Sequence, residues 1–179
     1  YNSCPVSDGS SAVILASEKI ANQLTKDPIW IKGIGVASDS ANLSRRPDYL
    51  GIQSTVKAAN DAYSMSKTSP KNFDVACVHD CFSIAEIMAY EDLGFCKKGE
   101  GGKLIQENQT YIGGSIPINV DGGLKAKGHP IGATGTSMIV EITKQLRNEC
   151  GKRQAPIKNG LGLVHNVGGT GHSCYVTVL

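Results

Sequence analysis

Three short stretches of this chain combine residue types that can move protons or hold charge. The first is His79-Asp80-Cys81-Phe82. It places an imidazole, a carboxylate and a thiol within three positions, after an apolar run and before a helical pattern. Functional groups in α/β folds gather at that place, the C-terminal end of a strand. The start of a helix also favours a thiolate, so Cys81 is expected to be the most thiolate-prone of the six cysteines. The plain alternative is a buried free cysteine beside a capping aspartate, and on this stretch alone it is the commoner situation.

The second stretch is Gly128-His129-Pro130-Ile131-Gly132-Ala133-Thr134-Gly135. Glycine and proline fix the backbone on either side of the histidine, as a general base requires, because small displacements cost rate. A turn that happens to contain a histidine is the competing reading. A phosphate loop is a poor one, since no Gly-Lys-Ser/Thr follows. The third stretch, His165-Asn166-Val167-Gly168-Gly169-Thr170-Gly171-His172, is a glycine-rich bend. Its backbone N–H groups could serve an oxyanion, or the bend could be a permissive hairpin turn. Cys77-x-His79-x-Cys81 shares a strand face, but a tetrahedral zinc site draws four ligands from turn-based pairs, so no metal is expected.

These groups need a framework. The pattern predicts a short buried strand over residues 12–16 and a helix over 17–25 with Ser17 as N-cap. A strand follows over 29–37, then a helix over 48–65 with Val56, Ala59 and Tyr63 on one face. Ser69-Pro70 breaks it. Residues 73–78 read as a continuous apolar strand. A helix over 82–93 follows, with Ile84, Ile87, Met88 and Leu93 as its apolar face and Gly94 as its stop. Residues 97–123 read as loop with one short strand. A last helix over 133–146 presents Met138, Ile139, Ile142 and Leu146, and strands over 160–166 and 174–179 form a closing hairpin. Alternating strands and helices imply an α/β domain: a sheet covered on both faces, mixed because of the hairpin.

Composition narrows the function classes. With 179 residues, 40% hydrophobic and 19% charged, the chain has the makings of one ordinary folded domain. A formal charge of +2 gives no argument for nucleic acid, and no apolar run approaches a membrane span. Six cysteines without a regular framework point to free thiols in a reducing, intracellular compartment. The chain opens on Tyr1 and runs at once into a strand-like segment, as if it began inside a fold.

Taken in order, these motifs resemble those of the thiolases, over essentially the whole chain. Mainstream thiolases carry Asn-Glu-Ala-Phe, Gly-His-Pro and a C-terminal Cys-x-Gly. Here His79-Asp80-Cys81-Phe82 fills the first position and Gly128-His129-Pro130 is intact. The His-Asp-Cys-Phe version, His165-Asn166 in place of the Cys-x-Gly cysteine, and the insertion-like stretch 101–121 resemble the sterol-carrier-protein-type subgroup. The resemblance implies the C-terminal half of the thiolase fold. Residues 1–27 would be the tail of the N-terminal half and residues 28–179 the C-terminal domain. The nucleophilic cysteine and most coenzyme A contacts would lie in the other half, leaving this fragment inactive alone.

The implied activity is a 3-ketoacyl-CoA thiolase: thiolytic cleavage, or the reverse Claisen condensation, through an acyl-cysteine. His129 would be the general base, Cys81 the second acid/base, and His79 a donor to the thioester oxygen. Gly168 would serve the second oxyanion hole, with His165 in support, and Cys4 would line the pantetheine channel. Val167 stands where mainstream members have glycine. Coenzyme A is then a co-substrate and no cofactor is permanently bound. The partners are acyl-CoA, the N-terminal half and, when intact, a second copy in a homodimer. The family's compartments are the peroxisome and the mitochondrion. The readings weighed against the enzyme are a lipid- or sterol-binding module and a degenerate thiolase-like scaffold.

Overall fold

The structure, a computed structural model, describes residues 2–179. A four-stranded mixed sheet organises it. Strand β1 spans Gly33–Ser38, β2 Val75–Cys77, β3 Gly162–Gly168 and β4 Ser173–Val178, in the spatial order β1-β4-β3-β2. The closing hairpin sets Leu163 opposite Val178, and β1 adds antiparallel to β4. Strand β2 runs parallel to β3, with Cys77 beside Val164. The C-terminal ends of β2 and β3 therefore emerge side by side at one edge of the sheet.

Helices α1 (Glu18–Leu24), α2 (Gln53–Ser66), α3 (Ser83–Asp92), α4 (Gly101–Gln106), α5 (Gly123–Lys127) and α6 (Thr134–Leu146) complete the chain. Side chains alternate between faces along each strand, and two cores result. Val75, Cys77 and Val164 pack with Leu124, Met138 and Ile142 from α5 and α6. On the other face Ala76, Val78, Leu163, Val176 and Val178 meet Ala58, Ala59 and Ala62 of α2 and Ala89, Tyr90 and Leu93 at α3. Helices thus lie on both faces. On the α6 face, however, the β1–β4 side leaves Ile34, Val36 and Tyr175 exposed.

Several expected elements shift. Residues 12–16 form no strand: they are exposed, and no neighbouring strand in the sheet satisfies their backbone. The strand expected over 29–37 is confined to β1, and residues 48–52 lie outside α2. In α3 the buried face is Ala89, Tyr90 and Leu93, while Ile84 is exposed. Residues 97–123 hold helix α4 and a parallel bridge between Ile118 and Ala76.

Candidate active site

The site forms where β2, β3 and the turn before α6 converge. At that turn Gly128 adopts a positive φ of 88°, and a Cβ there would lie 2.5 Å from Ser7 Oγ. Only glycine fits the conformation and the close approach together. His129 follows, its backbone N–H donating to Ser7 Oγ at 2.7 Å. Its Nδ1 lies 2.6 Å from Thr134 Oγ1. The Thr134 hydroxyl donates its own proton to Pro130 O at 3.1 Å, so it accepts from an Nδ1–H. Nε2 of neutral His129 then carries a lone pair, the arrangement a general base needs. Burial lowers the His129 pKa, with the Asp80 charge opposing.

His79 approaches from β2. Its ring centroid lies 4.9 Å from that of His129, with the planes at 85°. Its Nδ1 is 2.7 Å from Asn166 Oδ1 on β3. Burial pushes His79 down to about 4; the Asn166 contact opposes this and the neighbouring His129 adds to it. Near neutral pH the site therefore holds two uncharged imidazoles.

Asp80, between the site's histidine and thiol, turns to α5. Its carboxylate accepts from the backbone N–H of Leu124 at 2.8 Å and of Lys125 at 3.4 Å. It therefore ties the end of β2 to the segment that delivers Gly128-His129. Burial raises the Asp80 pKa against the pull of these N–H groups.

Cys81 is half-buried. Burial raises its pKa, with Cys4 adding to the rise and backbone N–H groups opposing. The N-terminus of α3 does not make Cys81 a thiolate: α3 begins two residues later, and desolvation outweighs its pull, although burial raises Cys77, Cys96, Cys150 and Cys174 as well. A thiol that keeps its proton can give it up, which suits an acid better than a resting nucleophile. Cys4 sits beside Cys81, its N–H donating to the Cys81 carbonyl at 2.9 Å.

Not all expected site residues meet. His165 is 1% exposed and points to the α2 face, where its Nε2 lies 3.0 Å from Thr55 Oγ1. Thr55 in turn touches Cys174 Sγ at 3.4 Å. Burial, then His79, push the His165 pKa down to about 3. The residue that reaches the site is its neighbour, because Asn166 lies on the opposite face. Gly168 ends β3 opposite Ser173, and Val167 N–H is taken up by Asn166 Oδ1 at 3.1 Å. Thr134 and Asn166 lie within stretches that the sequence marks but were given no role of their own, and Ser7 was not singled out. Strand parity counted back from the hairpin would have pointed to Asn166; nothing local marks Ser7. Among the described residues no group of three or more His, Cys, Asp and Glu could hold a metal ion.

Residues 35–179 match the family described as Thiolase C-terminal domain-like. An acetyl-CoA acetyltransferase of Methanothermobacter thermautotrophicus is 47% identical over 174 residues, covering 97% of this chain and 45% of that protein. Sterol carrier protein 2 of Bos taurus is 39% identical over 170 residues, covering 92% of this chain and 31% of the relative. Among solved structures, an Ltp2-ChsH2(DUF35) aldolase superposes with a TM-score of 0.71 at 23% identity, covering 82% of this chain and 38% of the other; it shares the fold. The fold and the family match define an α/β domain of the thiolase type. The chain belongs to the thiolase family as its C-terminal domain, and it spans less than half the length of these curated relatives.

Proposed function

We propose that this chain is the C-terminal catalytic half of a 3-ketoacyl-CoA thiolase. Residues 28–179 are the catalytic domain, residues 1–27 the tail of the N-terminal half, and the nucleophilic cysteine comes from that half. The observation that carries the reading is the pair of facing, neutral imidazoles of His79 and His129 at the ends of two different elements.

In the proposed cycle His129 Nε2 takes the proton of the nucleophilic thiol, and the thiolate attacks the keto carbon of the substrate. The bond between that carbon and the α-carbon breaks, its electrons passing to the acetyl-CoA portion. Cys81 gives that carbanion equivalent its proton, which matches a thiol held protonated by burial. His79, once protonated at Nε2, donates to the thioester oxygen, and the Gly168 amide serves the tetrahedral intermediate. Coenzyme A then gives its thiol proton to the Cys81 thiolate and attacks the acyl-cysteine; the acyl–sulfur bond breaks and the cysteine leaves with the proton held by His129. Cys4, beside Cys81, lines the path of the pantetheine arm, and His165 supports the site from beneath the sheet. The exposed Ile34, Val36 and Tyr175 form the face on which the N-terminal half packs. The assembled protein is a homodimer.

The test measures coenzyme A-dependent cleavage of acetoacetyl-CoA by this chain, by a separately made N-terminal half, and by their mixture. Turnover is expected only from the mixture. Turnover by this chain alone would place the nucleophile among its own six cysteines and overturn the assignment.

A further inference from the structure

His79 faces the site from β2, but what it can do there depends on which ring nitrogen carries its proton. The parallel register between β2 and β3 sets Cys77 beside Val164. Two residues further along both chains, His79 falls beside Asn166, with Nδ1 2.7 Å from Oδ1. The same Oδ1 accepts from the Val167 N–H at 3.1 Å. That second bond identifies the atom as the amide's oxygen, because an NH₂ there would set donor against donor. The amide nitrogen lies on the other side, toward Gly135 at the start of α6, where a Cβ would come within 2.8 Å of it. An oxygen facing Nδ1 requires a proton on Nδ1.

We propose that Asn166 is a positioning residue that fixes His79 as the Nδ1–H tautomer, so that Nε2 is an acceptor while the ring is neutral and a donor only when the ring is imidazolium. This rests on the thiolase reading above for its consequence, though not for its geometry. His79 would hold a thioester oxygen only after gaining a second proton at Nε2. Asn166 serves both forms, since Oδ1 accepts the Nδ1–H in each. The two site histidines are thereby matched: Thr134 does for His129 what Asn166 does for His79. Asn166 also accounts for the His165-Asn166 pair as strand parity. One residue packs against Thr55 in the core, and the other sets the state of a site imidazole.

The test reads the tautomer directly, without turnover. Two-bond ¹H–¹⁵N correlations on the ¹⁵N-labelled 179-residue chain near pH 7.5 resolve its four histidines, and His79→Gln assigns the His79 signals. His79 is expected to show a protonated Nδ1 and a bare Nε2. Asn166→Ala should move it to the Nε2–H form or a mixture, while Asn166→Asp, which keeps an acceptor, should retain the proton on Nδ1. An Nε2–H His79 in the unaltered chain overturns the proposal even if the variants fail to fold, and so does an Asn166→Ala spectrum identical to the parent. If the tautomer is as stated but the mixed halves lack thiolase turnover, the proposed function fails and the role of Asn166 stands.

Discussion

Gly123 is where the site's scaffold is most exposed to a single methyl group. It opens α5 with φ at 62°, and a Cβ added there would lie 2.1 Å from Asp80 Oδ2 and 2.7 Å from its Cγ. Gly123→Ala therefore combines two penalties. A left-handed backbone costs an L-residue about 1–2 kcal/mol. The displaced carboxylate also loses its hydrogen bonds to Leu124 and Lys125, and bonds to a charged group are worth about 1.5–3 kcal/mol. Gly99 separates the two terms: its φ is 81°, but nothing lies within 4 Å of its would-be Cβ. Both variants gain about 0.4–1 kcal/mol from a stiffer unfolded chain, so that effect cancels in the comparison. Urea unfolding followed by far-UV circular dichroism should show a loss of about 1 kcal/mol for Gly99→Ala and about 3 kcal/mol or more for Gly123→Ala. Because α5 leads straight into His129, Gly123→Ala should also lower turnover of the assembled halves, with a 1 Å shift of a catalytic group costing on the order of 10²-fold. Equal losses for the two glycine variants would refute the claim that Asp80 braces the segment carrying His129.

Charge and burial set the behaviour of two further side chains. Alkylation of Cys81 by iodoacetamide, read by peptide mass spectrometry, should still be accelerating above pH 9, because burial raises its pKa above the ordinary thiol value. A plateau below pH 8 would contradict this, and Cys81→Ala should cost the assembled protein ~10²–10⁴ in turnover. Glu141 is buried, which by itself would raise its pKa, but the Arg153 guanidinium bonded to both its oxygens and the Gln145 amide hold it below the usual carboxylate value. A depressed folded pKa gives stability that is present above the unfolded value near pH 4.3 and is lost as pH falls through the folded value. Glu141→Gln should therefore destabilise at pH 7 by urea unfolding, with the gap narrowing below about pH 4; a gap that widens in acid would show that the ion pair is not its source.

Local pattern determined a good deal of this protein. Gly128-His129-Pro130 and His79-Asp80-Cys81 were legible because each histidine sits at an element boundary marked by glycine, proline or a change of hydrophobic period. The hairpin of β3 and β4, helix α6 with Met138 and Ile142 inward, and the two-faced sheet were legible for the same reason. Residues 12–16 show the limit of that evidence. Apolar content suits a strand, but a strand needs a partner, and a pairing partner is a non-local fact. Helix α3 shows another: its apolar residues fit more than one face, and packing against the core of the α2 face buries Ala89 and Tyr90 and leaves Ile84 exposed.

The division is sharpest at His165-Asn166. The sequence places two polar residues before a glycine-rich bend and makes the histidine the more reactive choice. In a strand, neighbours point to opposite faces, so one of them must leave the site. The parallel register of β2 on β3 decides which, setting Asn166 beside His79 and turning His165 into the core against Thr55. The same non-local packing buries Cys81 and keeps it a thiol, although its place before a helix argues for a thiolate. Residue type and spacing supplied the candidate groups; register and burial, which arise between distant segments, assigned each its face and its proton.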